Sequence, residues 1–190
     1  MDTAQQSAVF LDRDGVIIAN RADYVRSWAD VRFLPGAFEA LRRLARTAHR
    51  IVIVTNQSAV GRGIISPERA AALNRRIVAE IAAHGGRIDA VYLCPHHPAA
   101  RCACRKPAPG LLLRAGRELG LDLARSCLVG DAASDLEAAR AVGARGILVL
   151  TGRGREQVAQ LAAGPAAGSP VAADLLATLD YLTPALAVER

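Results

Sequence analysis

Residues 7–17 read SAVFLDRDGVI. The first five, SAVFL, form a nearly continuous apolar run, the pattern of a strand buried on both faces, and such strands belong to parallel sheets covered by helices. The run stops abruptly at Asp12, Arg13, Asp14 and Gly15. Two carboxylates two residues apart project to the same side of an extended chain. They repel each other, and an ionised carboxylate at the end of a buried strand needs a compensating cation or a raised pKa. The pair therefore asks for a metal or a catalytic proton, and Gly15 lets the chain turn away.

Outward from this stretch, residues 50–54 (RIVIV), 88–93 (IDAVYL), 127–129 (CLV) and 146–150 (GILVL) repeat the buried-strand pattern. Helical patterns lie between them over 36–48, 66–84, 109–119 and 133–142. The second helix opens at Ser66, Pro67 and Glu68, a capping residue followed by proline in the first turn. This alternation predicts an α/β fold, a Rossmann-like three-layer sandwich with a mostly parallel sheet and helices on both faces. After Thr151 the pattern weakens. Residues 163–173 (AGPAAGSPVAA) predict a surface loop, followed by a last short helix over 174–182. No internal repeat is visible, and a single domain over 1–190 is expected.

A chain of 190 residues that is 52% hydrophobic can bury one sizeable core. No apolar run approaches the ~20 residues of a membrane span, and the opening MDTAQQS lacks the basic-then-apolar layout of a secretory leader, so a cytoplasmic protein is expected. The formal charge of +6 favours anionic partners. The arginines are dispersed, however, and aromatics at 4% leave few surfaces for stacking single-stranded bases. A small phosphorylated metabolite is the expected partner, and the chain is expected to act as a monomer.

Ligands of open parallel sheets bind beyond the carboxyl ends of the strands, so the residues after each apolar run carry the chemistry. The fourth run leads into VGDAASDLEAA, with Asp131 at the strand end and Asp135 in the first helical turn. Asp131 can complete a Mg²⁺ site with Asp12, because Mg²⁺ takes one or two carboxylates plus waters and phosphate oxygens. Asp135 is placed to support that site from behind. The alternative is that Asp131 only caps a helix. The second run ends in TNQS, where Thr55 and Asn56 offer a hydroxyl and an amide suited to phosphate oxygens, although both types also populate turns.

Residues 92–110, YLCPHHPAARCACRKPAPG, gather three of the four cysteines, two of the four histidines and the only lysine, the other 23 basic residues being arginine. Lys106 fits a phosphate site, where a compact ammonium approaches oxygens that a planar guanidinium would crowd; the alternative is an ordinary exposed lysine. Cys94-x-His96 and Cys102-x-Cys104 supply three thiolates and one imidazole, the ligand set of a closed tetrahedral Zn²⁺ site. Closed sites do not activate water. The zinc is therefore expected to be structural, holding loop 94–104 so that Arg105 and Lys106 are presented at a fixed angle. On spacing alone His97 competes with His96. A disulfide from Cys94 to Cys102 or Cys104 is disfavoured in a reducing cytosol. Cys127 reads as a small core residue, and His49 and His84 as surface residues.

Taken together, DxDGV after the first strand, a strand-end Thr, an isolated Lys before Pro and GDxxxD after the fourth strand resemble the four motifs of the haloacid dehalogenase superfamily, most of whose members are phosphatases. More closely, FLDRDGVI, TNQS, CPHHP, CxCRKPxPG and the GD with its following Asp resemble the D-glycero-D-manno-heptose 1,7-bisphosphate 7-phosphatases, with histidinol-phosphate phosphatases as near relatives. The resemblance implies a capless haloacid dehalogenase fold with a zinc-binding loop, and a role in heptose biosynthesis within carbohydrate metabolism. It implies that Asp12 is the nucleophile and Asp14 the general acid and base, with Mg²⁺ held by Asp12, the backbone carbonyl of Asp14, and Asp131. Thr55 and Lys106 would grip the phosphoryl group. Asn56, Gln57, Arg62 and Arg105 would touch substrate, the segment from Asn20 to Asp23 would line the entrance, and His96 would be the imidazole ligand of zinc. The competing readings are a histidinol-phosphate phosphatase and, from the positive charge and the Cys/His cluster, a nucleic-acid 3′-phosphatase or a zinc-stabilised nucleic-acid-binding module. Scarce aromatics and the lack of a basic run oppose the nucleic-acid readings.

Overall fold

The structure, a computed structural model, describes residues 6–186. Residues 1–5, which make up most of the polar opening weighed above as a leader, and residues 187–190 lie outside the described residues. Strands β1 (Ala8–Leu11), β2 (Arg50–Asn56), β3 (Ala90–Cys94), β4 (Cys127–Gly130), β5 (Arg145–Val149) and β6 (Val171–Ala172) pair in parallel in the order β3-β2-β1-β4-β5-β6. The helices are α1 (Ala37–Leu44), α2 (Ser58–Gly61), α3 (Pro67–Ala83), α4 (Gly110–Leu119), α5 (Ala133–Arg140), α6 (Gly154–Ala163) and α7 (Leu179–Leu186).

The sheet is covered on both faces, and this is why its strands are continuously apolar. Val9 and Leu11 of β1 join a cluster with Leu41 and Leu44 of α1 and Ile77 and Ile81 of α3. Ala8 and Phe10, pointing the other way, pack with Leu111 and Leu112 of α4 and Ala138 and Ala139 of α5. Each fully buried leucine, isoleucine or phenylalanine here contributes roughly 1.5–3 kcal/mol of transfer free energy, more than helix propensity alone supplies. Cys127 belongs to the first cluster, as its sequence context suggests. The start of α3 is local chemistry: Ser66 Oγ accepts from the Arg69 N–H at 3.2 Å, with Pro67 at the first helical position.

The strand order positions the site. The chain steps outward from β1 to β2 and β3, then returns to the other side of β1 with β4. That reversal opens a crevice beyond the carboxyl ends of β1 and β4. The Asp12 N–H still donates to the Val129 carbonyl at 2.9 Å, so the residue that follows β1 is tied to the strand that leads to Asp131.

The structure departs from the sequence reading mainly in the last third. The expected loop over 163–173 contains β6, and α6 occupies residues read as weakly patterned. A two-residue strand carries no periodicity of its own; Val171 and Ala172 are strand because they pair with Leu148 and Val149. The helix expected over 174–182 starts only at Leu179, after a turn in which Asp174 Oδ1 accepts from the Ala177 N–H at 2.9 Å.

Candidate active site

Asp12 follows β1, Thr55 lies in β2, Lys106 precedes α4, and Asp131 and Asp135 follow β4. Asp12, Asp14, Thr55, Lys106 and Asp135 all line one polar cavity of about 360 Å³, while Asp131 is fully buried. The topology has gathered residues from four separate stretches of sequence.

Lys106 is the hub. The residue is 3% exposed, and its ammonium donates to the Asp135 carboxylate at 2.7 Å and the Val54 carbonyl at 2.8 Å, with Asp12 Oδ1 3.0 Å away. Three N–H bonds meet three acceptors around one nitrogen, an arrangement that a planar guanidinium cannot reproduce. Burial lowers the Lys106 pKa, but the charges of Asp12 and Asp135 outweigh it and push it up to about 12. The backbone of Lys106 is fixed as firmly. Asn56 Nδ2 donates to the Lys106 carbonyl and Asn56 Oδ1 accepts from the Lys106 N–H, both at 3.2 Å. Asn56 lines the cavity, yet its amide is committed to holding the lysine.

The acids differ in their partners. Asp135 gives one oxygen to Lys106 and the other to the Ala132 N–H at 3.1 Å, at the start of α5. Burial, opposed by Lys106 and reinforced by Asp12, pushes its carboxyl up to about 6. Asp131 is raised by burial and by the Asp12 charge, and is pulled back by Arg153. The Arg153 N–H and Nη2 both reach Asp131 oxygens at 2.9 Å. Gly15 is required beside them: at φ +90° it sits where a Cβ would lie 2.2 Å from Asp131 Oδ2.

The aspartates of DRD do not share an extended strand, because β1 ends at Leu11 and the Arg13 carbonyl accepts from both Ile17 and Ile18 in a tight bend. Nor does the pair depend on a metal alone for compensation. Asp12 meets Lys106, and Asp14 meets the Arg13 guanidinium, with Nε and Nη2 each donating at 3.0 Å. Gln57 Nε2 adds a contact to Asp14 Oδ2 at 3.2 Å and another to Thr55 Oγ1 at 3.1 Å.

Around the rim, Asn20, Gln57 and Arg105 line the cavity, and Arg105 Nη1 donates to Ser58 Oγ at 3.2 Å. Asp23 and Arg62 do not line it. Asp23 is exposed and paired with Arg21 and Arg26, and Arg62 caps the end of α2. Sequence reasoning missed Arg13, Ser134 and Arg153, all of which border the cavity. Arg153 follows β5, so the strand-end rule applied to the fifth run would have found it.

Cys94, His96, Cys102 and Cys104 each bring a donor atom within 4.8 Å of all the others. Neighbouring donors lie 3.2–3.6 Å apart: Cys94 Sγ to His96 Nδ1 at 3.6 Å, Cys94 to Cys102 and Cys102 to Cys104 at 3.5 Å, and His96 Nδ1 to Cys104 at 3.2 Å. All four cysteines are free thiols. His97 is engaged elsewhere, its Nδ1 accepting from the Ala99 N–H at 3.1 Å. At Cys102 burial opposes ionisation, but hydrogen bonds from Cys104 and Cys94 bring the thiol down to about 6; burial and the neighbouring sulfurs push Cys104 up to about 12. The loop docks on α2, where a Cβ at Gly61 would fall 2.1 Å from the His97 nitrogen.

The chain that sets a strand-end aspartate beside a buried lysine, with a second acid after β4 of a parallel sheet, is by its similarity to known proteins a haloacid dehalogenase-like hydrolase. Residues 103–178 match the family model described as HAD-hydrolase-like. A D-glycero-β-D-manno-heptose-1,7-bisphosphate 7-phosphatase of Bordetella bronchiseptica is 38% identical over 174 residues, 92% of this chain and 96% of that protein. The D-glycero-α-D-manno-heptose-1,7-bisphosphate 7-phosphatase of Mycobacterium tuberculosis is 46% identical over 143 residues, 73% of this chain and 74% of that protein. The crystal structure of the D,D-heptose 1,7-bisphosphate phosphatase from B. bronchiseptica, complexed with magnesium and phosphate, superposes with a TM-score of 0.87 at 37% identity, covering 94% of this chain and 99% of that one. The chain belongs to the heptose-1,7-bisphosphate 7-phosphatase family, and it is a phosphatase.

Proposed function

We propose that this chain is a Mg²⁺-dependent phosphatase that removes the 7-phosphate of a D-glycero-D-manno-heptose 1,7-bisphosphate through an aspartyl-phosphate intermediate. The observation that carries the reading is the Asp12 carboxylate 3.0 Å from the Lys106 ammonium at a polar cavity. An oxygen of Asp12 attacks phosphorus and forms the acyl phosphate as the bond to the sugar oxygen breaks, while Asp14 protonates the departing oxygen. Asp14, now ionised, then takes a proton from the water that hydrolyses the intermediate. Thr55 holds a phosphoryl oxygen, Lys106 turns to one the N–H that faces Asp12 as that carboxylate attacks, and Arg105, Asn20 and Gln57 face the rest of the substrate.

A divalent cation suits the donor set. Asp12, Asp131 and Asp135 bring oxygens within 4.8 Å of one another, and the cations paired with them are Lys106 and Arg153, so three acids against two bases leave one negative charge. Asp135 spends both oxygens on buried partners, Lys106 and the Ala132 N–H, whereas the guanidinium that engages Asp131 is half-exposed and free to give way, so Asp12 and Asp131, with the main-chain carbonyl of Asp14, would hold Mg²⁺. Bound there, the ion supplies positive charge for the equatorial phosphoryl oxygens.

Zinc suits the Cys/His cluster. A tetrahedral ion with bonds of ~2.0–2.3 Å sets its donors about 3.4–3.8 Å apart, close to the spacings above. The loop it would hold ends two residues before Lys106. The same reading makes the enzyme a monomer acting on a small phosphorylated sugar in the cytoplasm. Free thiols suit a reducing compartment, and among the described residues no helix is long and apolar enough to cross a membrane.

The test is phosphate release from α- and β-heptose 1,7-bisphosphates, histidinol phosphate and a 3′-phosphorylated oligonucleotide, with and without Mg²⁺. Magnesium-dependent release from C7 of a heptose bisphosphate is expected to dominate, and Asp12→Asn to slow it by at least about 10³-fold. Undiminished turnover by Asp12→Asn, or a large preference for histidinol phosphate, overturns the proposal.

A further inference from the structure

Arg13 stands between the two aspartates and is only 2% exposed, which makes it a charged side chain inside the core. Its guanidinium is used on both sides. Nε and Nη2 grip the two oxygens of Asp14, each at 3.0 Å, and Nη1 donates to Asn74 Oδ1 at 2.8 Å. A planar fork held at its third nitrogen cannot pivot, so the plane of the guanidinium fixes both carboxylate oxygens of Asp14.

Asn74 is the unusual member. It lies within α3, 5% exposed, and its Nδ2 has no hydrogen-bond partner among the described residues. A buried amide with an unsatisfied donor destabilises a fold, and an aliphatic residue on this inward face would avoid that cost. Asn74 Oδ1 accepts from Arg13.

We propose that Asn74 is a positioning residue for the reaction: through Arg13 it fixes the carboxyl group of Asp14 at the cavity wall, where it serves the departing sugar oxygen. The inference rests on the reading of Asp14 as the general acid. Oδ2 of Asp14 accepts from Arg13 Nε and Gln57 Nε2, whereas Oδ1 accepts from Nη2 and keeps a lone pair for the acid's proton. When the P–O bond breaks, that proton passes from Oδ1 to the leaving oxygen as an Asp12 oxygen takes its place on phosphorus, and an acid that wanders loses that transfer. Only leaving groups that need a proton are affected. An alkoxide needs one, whereas a nitrophenolate departs without it.

The experiment compares kcat/KM for a heptose 1,7-bisphosphate with kcat/KM for 4-nitrophenyl phosphate in the full-length chain with Mg²⁺. This ratio covers steps up to breakage of the ester bond and excludes hydrolysis of the intermediate. Asn74→Leu is expected to lose about tenfold on the sugar ester while staying within about twofold on the aryl ester, a partial version of the ~10²–10⁴-fold loss expected for Asp14→Asn on the sugar ester. Asn74→Ala lacks the same acceptor and replaces the leucine variant if that one does not fold by circular dichroism. Equal losses on both esters, or none on either, overturn the role of Asn74 while Asp14→Asn keeps its preference. If Asp14→Asn itself shows no dependence on the leaving group, the reading of Asp14 falls, and this inference with it.

Discussion

Replacing Lys106 with methionine removes a buried ammonium of similar size and leaves three acceptors behind: an Asp12 oxygen, an Asp135 oxygen and the Val54 carbonyl. Breaking a buried ion pair by deleting one partner costs about 3–5 kcal/mol. For a chain of this length each kcal/mol shifts Tm by roughly 2–4 °C, so a loss of about 6–20 °C is expected at pH 8 in magnesium-free buffer. The loss should depend on pH with a definite sign. Asp135 titrates at about 6 in the folded protein, above an ordinary carboxylate, so the folded state holds that proton more tightly than the unfolded chain. Its contribution to stability is complete below about pH 4 and is lost as pH rises through 6. Lys106 opposes that rise, and without it the carboxyl moves further up, so the deficit of the variant grows with pH. At pH 5 the Asp135 carboxyl takes up its proton, and a smaller cost remains from the other acceptors that lost Lys106, among them the unpaired Val54 carbonyl at about 1–3 kcal/mol. Calorimetric melts of both proteins at the two pH values test this. A Tm loss at pH 5 as large as that at pH 8, or no loss at either, refutes the account of Lys106 as the cation that neutralises this cluster.

Removing zinc by chelation, or Cys104→Ser, should lower bound zinc from about one equivalent per chain by elemental analysis, and should reduce phosphate release through the loosened Lys106; full activity in zinc-free protein would sink the structural role. Arg153→Ala leaves Asp131 fully buried with only the main-chain N–H contact of its former partner, and should destabilise the magnesium-free protein by about 1–3 kcal/mol. Because Mg²⁺ would then meet a carboxylate with no competing guanidinium, Tm should rise more on adding Mg²⁺ in the variant than in the parent, and an equal rise counts against the Arg153–Asp131 pair as described.

Much of the site was legible because its signals are local. Asp12, Asp14, Thr55 and Asp131 each follow or end an apolar run, and the Cys94, His96, Cys102 and Cys104 spacing needs no knowledge of the fold. The choice between His96 and His97 was open to spacing; in the fold His96 Nδ1 lies among the cysteine sulfurs while His97 Nδ1 accepts from the Ala99 N–H of a short turn, neighbours that spacing does not encode. Asn56 and Asp23 show the opposite limit. Asn56 was expected to touch substrate and Asp23 to line the entrance; in the fold Asn56 lines the cavity with its amide bonded to the Lys106 backbone, and Asp23 is exposed and paired with Arg21 and Arg26. A polar residue at a strand end or loop shows that a partner is needed without showing which one.

By itself the sequence determined the parallel α/β architecture, since strands that stay apolar on both faces require helices on both sides, and it determined which acids and thiols stand at the active edge. Tertiary structure alone decided the order β3-β2-β1-β4-β5-β6, which sets Asp12 beside the strand leading to Asp131. It also decided that Arg13 turns inward to Asp14 and Asn74, that Arg153 closes on Asp131, and that two residues at 171–172 become a strand. The physical reason is one of range. Hydrophobic periodicity and ligand spacing are written in neighbouring residues, whereas the partner of a buried charge is chosen by long-range packing.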